Sequence, residues 1–247
     1  MGRCIGNAGT AVGVFSFLAP SLGAVTWVTM RNQQAQRSYL TMCGRYTLSV
    51  TQRPELNALG LQTADRFNIA PGSSVLTRDE QGEHRMMPWD FSPPWAKKPM
   101  HLSNARSETL REKPAFRRAR RCVLLADGWY EWQRVEGKKR PWYHHIEGEL
   151  LYFAGLYNDS SGCAIVTRSA LETVAPIHHR QPVLLEARGV EHWLQGHDLF
   201  ASAVTHRVHC HEVSTRVNRP SEDDIGLTLP VSASSPESPP SNEDLFK

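Results

Sequence analysis

A cysteine preceded directly by a methionine, Met42-Cys43, lies well inside the chain. If translation starts at Met42 and the methionine is trimmed, which cysteine's small side chain permits, Cys43 gains a free amine beside its thiol. Such a 1,2-aminothiol condenses with an aldehyde through its amine to give an imine, and the thiol then closes a five-membered thiazolidine ring. The amine suits the first step. An α-amino group of pKa about 7.8 is roughly 10–15% neutral at pH 7, whereas a lysine near about 10.4 is neutral below about 0.1%. By residue type alone a cysteine is more often a small buried hydrophobe, so this chemistry depends on what becomes of the residues before it.

Glu131 is the second candidate, set among Trp129, Tyr130 and Trp132. An apolar aromatic setting raises a carboxyl pKa and suits the group to proton transfer; the plainer reading is an exposed strand glutamate whose aromatic neighbours fill the core. Trp89, Trp95, Trp129 and Trp132 offer flat faces. Base stacking is worth about 1–3 kcal/mol per base in single-strand binders, although most tryptophans are core residues. Basic residues cluster at Arg117-Arg118-Ala119-Arg120-Arg121 and at Lys138-Lys139-Arg140. The net charge of +3 and pI near 8.6 are mild, so nucleic-acid affinity has to come from such local clusters. His206, His209, Cys210 and His211 include zinc-type ligand residues, but neighbours along a strand point to opposite faces, and no metal or cofactor is assigned. A P-loop, a Rossmann glycine fingerprint and a Gly-x-Ser-x-Gly elbow are all missing from the sequence.

The elements that must hold these residues read as short apolar runs: Cys122–Ala126, Leu150–Ala154, Cys163–Thr167 and Pro182–Leu185. Their length and their β-branched or aromatic content predict strands. Val208–Val217 ends in Val213-Ser-Thr-Arg-Val-Asn218, whose reading as a closing strand comes from the family resemblance given below. Helical segments are few: Gln52–Leu59, Ala105–Glu112 and Gly189–Leu194. The class is α+β, a compact, sheet-rich single domain with mixed sheets and a few short helices.

The ends differ from this middle. Residues 1–41 hold an apolar stretch from Ala8 to Val28, broken by Pro20 and flanked by arginines. They read either as a signal peptide, with export to follow, or as a leader upstream of the true start at Met42; the chemistry of Cys43 favours the second. The domain is then 42–226, followed by a Ser/Pro-rich tail, 227–247, with too few apolar residues to join a core. The odd, scattered set of 5 cysteines suggests neither a disulfide framework nor a zinc ribbon and fits a reducing, cytoplasmic setting.

Several motifs occur in order: Met42-Cys-Gly-Arg-Tyr46, Phe67-Asn-Ile-Ala-Pro71, Ser103-Asn-Ala-Arg-Ser-Glu-Thr109, Asp127-Gly-Trp-Tyr-Glu-Trp132 and Ile177-His-His-Arg-Gln-Pro182. Over about residues 42–220 the chain resembles the SRAP (SOS response-associated peptidase) family, the abasic-site processing proteins. The resemblance implies that Cys43, as the mature N-terminal residue, crosslinks to the ring-opened aldehyde of an abasic site in single-stranded DNA. It makes Glu131 the catalytic glutamate, and it makes His178 the group that protonates the sugar ring oxygen and assists reversal. Asn104 would hold the terminal amine and substrate; its plainer reading is a turn or cap asparagine. Arg45 and Arg106 would grip flanking phosphates, with Asn68 and Pro71 in a loop beside the cleft and Trp89 and Trp95 facing DNA. The chain departs from the family pattern at Gln181, where methionine is usual, and at Asp90, which puts an acid into Trp89-Asp-Phe-Ser-Pro-Pro-Trp95.

The expected partner is single-stranded DNA bearing abasic sites, with the protein a monomer that engages no membrane, nucleoid-associated if bacterial. Two other readings stay open. One is a cysteine peptidase in which Cys43, His178 and Glu131 act on the chain's own leader; the other is a non-covalent module for single-stranded DNA carried by arginines and tryptophans.

Overall fold

The computed structural model describes residues 44–60, 64–171, 173–200 and 203–231. Met42 and Cys43, the expected leader 1–41, and residues 232–247 lie outside these. The described residues build two sheets. The smaller contains β1 (Arg45–Leu48), β2 (Arg66–Ile69), β7 (Gly128–Val135), β8 (Lys138–His145) and β13 (His209–Glu212), in the order β13-β8-β7-β1-β2. The larger runs β11 (Arg180–Pro182), β10 (Gly162–Ser169), β9 (Leu151–Asn158), β6 (Arg120–Ala126), β3 (Ser74–Asp79) and β4 (His84–Pro88). Two short strands join it: β12 (Leu184–Leu185) pairs with β9, and β5 (Asn104–Arg106) runs parallel to β10.

The four apolar runs read as strands all lie in the larger sheet, and several prove longer than their apolar cores because polar residues at the ends complete the ladders. β6 and β9, for example, pair from Arg120↔Tyr157 to Ala126↔Leu151. Between the sheets sits the main core, where Tyr46 and Trp129 of the smaller sheet meet Phe153 of the larger at centroid distances of 5.9 and 6.0 Å. Edge-to-face geometry at this spacing is the preferred contact of aromatic rings. A second cluster covers the far face of the larger sheet with Trp193 of the short helix α2 (Val190–Leu194) against Val123, Ala154 and Val166. A third joins Tyr130 and Tyr143 to Val213, Val217 and Leu227.

Four expectations need correction. The helix expected over 105–112 is not formed: Asn104–Arg106 is strand β5, followed by a single 3-10 turn at Ser107–Thr109. Backbone pairing of Ala105 with Val166 outweighs the local helical preference. The expected closing strand stops at Glu212, with a lone bridge at Val213 and a 3-10 turn over Thr215–Asn218. The tail begins later than Gly226, since Leu227 is fully buried and the Val231 N–H donates to the Glu212 carbonyl. The expected helix near residues 52–59 shortens to α1 (Pro54–Asn57).

The β7–β8 hairpin, which no apolar run announces, is central. Its two-residue turn, Glu136-Gly137, holds φ at +50° and +77°, the positive pair that a tight hairpin turn requires. At its other end Gly128 packs so closely that a Cβ there would lie 2.4 Å from the His144 carbonyl oxygen.

Candidate functional site

Glu131 is in the middle of β7, opposite Trp142 of β8. On its other side β7 pairs with β1 through Arg45↔Tyr130 and Tyr46↔Trp129. The strand that follows Cys43-Gly44 in sequence is therefore the immediate neighbour of the strand that carries Glu131. The glutamate is only 2% exposed, so the plainer reading of an exposed strand glutamate does not hold. Its Oε2 is 3.4 Å from Nδ1 of His178.

His178 precedes β11 and is fixed from both directions. Nδ1 is 3.0 Å from the Arg180 carbonyl oxygen, which calls for a proton on it, and 3.3 Å from the Arg180 backbone N–H, which donates to it and calls for a lone pair. Together with the Glu131 carboxylate these contacts hold the ring by its Nδ1 edge. Burial pulls the imidazole pKa below its ordinary value, with the charges of His179 and Arg180 acting in the same direction and the hydrogen bond to Arg180 opposing them. The neutral ring is thereby favoured, and its acid form, once made, is a ready donor. Of the adjacent pair, His178 is the half-buried member facing Glu131; His179 is exposed, its ring 4.5 Å from that of His178.

One pair that sequence reasoning passed over ties the site together. Arg180 is buried, and its guanidinium donates to both oxygens of Glu108 at 2.6 and 2.9 Å and to the Thr167 carbonyl at 2.7 Å. Hydrogen bonding from Arg180 holds the Glu108 carboxyl down at about 2. Glu108 belongs to the same motif as Asn104, and Arg180 to the same motif as His178, so this bidentate fork locks two separate segments into one register. The signal was present in the sequence as an acid and a base inside two of the ordered motifs. Gln133, on the same face of β7 as Glu131, adds a tie by donating to the Pro176 carbonyl at 3.1 Å.

The other expected residues divide. Asn104 lies half-buried at the head of β5, across from Ile165. Arg45 donates to Asn68 Oδ1 at 2.7 Å and to the Val217 carbonyl at 3.1 Å. Asn68, 3% exposed, donates its amide to the carbonyls of Arg219 and Glu222 at 3.0 and 2.7 Å. Its side chain is occupied in holding the 217–222 loop, so as placed it positions a wall rather than reaching a ligand. Trp89 is fully buried, with its indole N–H donating to the Ser103 carbonyl at 2.7 Å, and has no face to offer a base. Trp95, by contrast, is 60% exposed, and Arg106 and Pro71 are exposed too. Asp90, the acid in that loop, is partnered by His101 Nδ1 at 2.8 Å. In the 117–121 run Arg120 and Arg121 are engaged with acidic residues and with the rings of Tyr157 and Trp193; Arg117 and Arg118 point outward.

The thiols of Cys122, Cys163 and Cys210 are all pushed up by burial, which makes each a poor nucleophile. Among the described residues no group of three or more His, Cys, Asp or Glu is arranged to hold a metal ion, and no helix is long and apolar enough to cross a membrane.

The family model "SOS response associated peptidase (SRAP)" matches residues 42–220. The chain belongs to the SRAP family. This SRAP chain is 34% identical over 179 residues to the abasic site processing protein YoqW of Bacillus subtilis, covering 62% of this chain and 80% of that one. It is 30% identical over 178 residues to abasic site processing protein YedK of Escherichia coli, with coverage of 62% and 80%. Over 200 residues it is 30% identical to HMCES of Gallus gallus, again named an abasic site processing protein, with coverage of 61% and 58%. The SRAP fold recurs in a solved protein from Bacteroides thetaiotaomicron, with TM-score 0.62 and 17% identity over 77% of this chain and all of that one.

Proposed function

We propose that this SRAP protein captures abasic sites in single-stranded DNA covalently, through Cys43 as an N-terminal residue. What carries the reading is the 3.4 Å pairing of a buried Glu131 with His178, on the strand next to the one that Cys43-Gly44 leads into. The names of the relatives support the substrate class; burial disfavours Cys122, Cys163 and Cys210 as nucleophiles, and of Cys4 and Cys43 it is Cys43 that lies within the residues matched by the family model.

The closed sugar of an abasic site carries its aldehyde masked as a hemiacetal. Opening moves the C1′ hydroxyl proton to a base and delivers a proton to the ring oxygen, a transfer suited to the His178 imidazole once charged. The Cys43 amine then adds to C1′, and the resulting carbinolamine loses water to give an imine; Glu131 supplies and recovers the proton. Attack of the thiol sulfur on the imine carbon closes the thiazolidine, its proton passing to nitrogen. Asn104 orients the amine, and Arg45 and Arg106 line the approach of the phosphates.

The test starts from protein expressed from its native transcript, whose first residue is read by intact mass. It is then mixed with a single-stranded oligonucleotide bearing one abasic site. A denaturant-resistant adduct, lost in Cys43→Ala, is expected. A retained leader with DNA bound and no adduct would replace this reading with a non-covalent module. Cleavage of a leader peptide that depends on Cys43, His178 and Glu131, without any adduct, would replace it with a peptidase.

A further inference from the structure

The β7–β8 hairpin extends the face that carries Glu131 beyond the site. Successive residues of a strand alternate faces, and cross-strand partners share one. The register therefore places three rows on the Glu131 face: Glu131 opposite Trp142, Gln133 opposite Arg140, and Val135 opposite Lys138. The bond from Gln133 to Pro176, two residues before His178, shows that the site lies over this face. Along β8, Trp142, Arg140 and Lys138 step away from Glu131 at intervals of about 7 Å, two strand residues each. Arg140 and Lys138 are exposed. Among the described residues Arg140 forms an ion pair with Glu212 at 3.6 Å, the Glu212 side chain itself being 37% exposed, and a loose surface pair of this kind contributes little. The rows on the reverse face are Trp132/Pro141 and Arg134/Lys139.

We infer that Arg140 and Lys138 form a phosphate track, holding the sugar–phosphate backbone of single-stranded DNA on one side of the captured lesion. The occupant follows from charge and spacing. Two cations at alternate strand positions, leading out from a buried acid–imidazole pair, match a flexible polyanion that starts at the site and runs along the hairpin. The track rests on the DNA reading given above. It assigns function to a basic run whose rigid presentation the tight Glu136-Gly137 turn provides.

The experiment uses the full chain and a fluorescent single-stranded oligonucleotide containing tetrahydrofuran, an abasic analogue without an aldehyde, so that binding is read without crosslinking. Affinity is measured from about 50 to about 200 mM salt for the unaltered protein, for K138Q/R140Q, and for R134Q/K139Q, which removes the same charge from the reverse face. Each phosphate contact to a single strand contributes about 0.7 to the slope of log affinity against log salt. K138Q/R140Q is expected to bind several-fold more weakly at low salt with a slope shallower by about 1.4, and R134Q/K139Q to change by less than half as much. Adduct yield with a true abasic site at saturating DNA should be the same in all three proteins. Equal losses in the two variants, or none in either, would overturn the track while leaving lesion capture standing. If the unaltered protein shows no affinity for the oligonucleotide, the track falls, and lesion capture is decided separately by the adduct with a true abasic site.

Discussion

His144 offers a sharp test of how this domain is held together. It is fully buried in β8, stacked on Trp129 with centroids 4.8 Å apart, and neither ring nitrogen has a hydrogen-bond partner. Burial drives its pKa down to about 3, with the nearby backbone of Trp129 and Trp142 offsetting only part of that cost and His211 and His145 adding to it. The folded state thus holds the ring neutral while the unfolded chain takes up a proton below about 6.5. Since the unfolded state binds more protons as pH falls, stability is lost between pH about 6.5 and about 3. Integrating from pH 7 to pH 5 gives a loss of about 2 kcal/mol from this one residue, a sizeable part of a typical domain stability of about 5–15 kcal/mol. Replacing His144 by Phe keeps the stack on Trp129 and forfeits no hydrogen bond, at some cost in packing at every pH. Urea unfolding at pH 7 and pH 5 measures both proteins. The fall in stability over that interval should be about 2 kcal/mol smaller in H144F. An equal fall in both would refute the assignment of acid sensitivity to this buried ring.

Glu108→Gln should destabilise the domain by about 1–2 kcal/mol, discounted from a fully buried pair because Glu108 is 47% exposed on its side chain. It should also slow adduct formation through His178, checked by melting and single-turnover crosslinking; in the unaltered protein this carboxylate's contribution persists above pH 4.5 and is lost as pH falls toward about 2. Gly128→Ala, whose new Cβ would collide with the His144 carbonyl and the Tyr143 ring, should cost about 3 kcal/mol, read as a lowered midpoint in urea. Asn68→Ala should cost about 1–3 kcal/mol by leaving the carbonyls of the 217–222 loop without donors, with faster proteolysis in that loop as the readout. Trp95→Ala should weaken binding to single-stranded DNA by about 1–3 kcal/mol while Trp89→Phe, altering a residue with no exposed face, should lower stability instead.

Residue types and their order decided a good deal before any fold was drawn. The apolar runs at 122–126 and 163–167 are buried on both faces of the larger sheet, and such runs identify themselves by composition. Glu131 among its aromatics stood out by residue type, but its burial did not, because residues 128–131 of β7 are all buried and no alternation marks the position. What composition could not fix was the status of individual polar and aromatic side chains. Trp89 and Trp95 stand six residues apart in one motif, yet one is sealed in the core and the other is exposed; loop geometry, not residue type, separates them. Asn68 became a structural amide because the 217–222 loop returns over β2, a contact across about 150 residues that no local pattern encodes. The expected helix at 105–112 gave way to β5 for a similar reason, since parallel pairing with β10 is a long-range hydrogen-bond gain that local propensity does not register. The sequence by itself determined which residues can do the chemistry. Only the tertiary structure decided which of them meet: the Glu131–His178 pair, its Arg180–Glu108 latch, and the face on which Arg140 and Lys138 stand depend on strands brought together from distant parts of the chain.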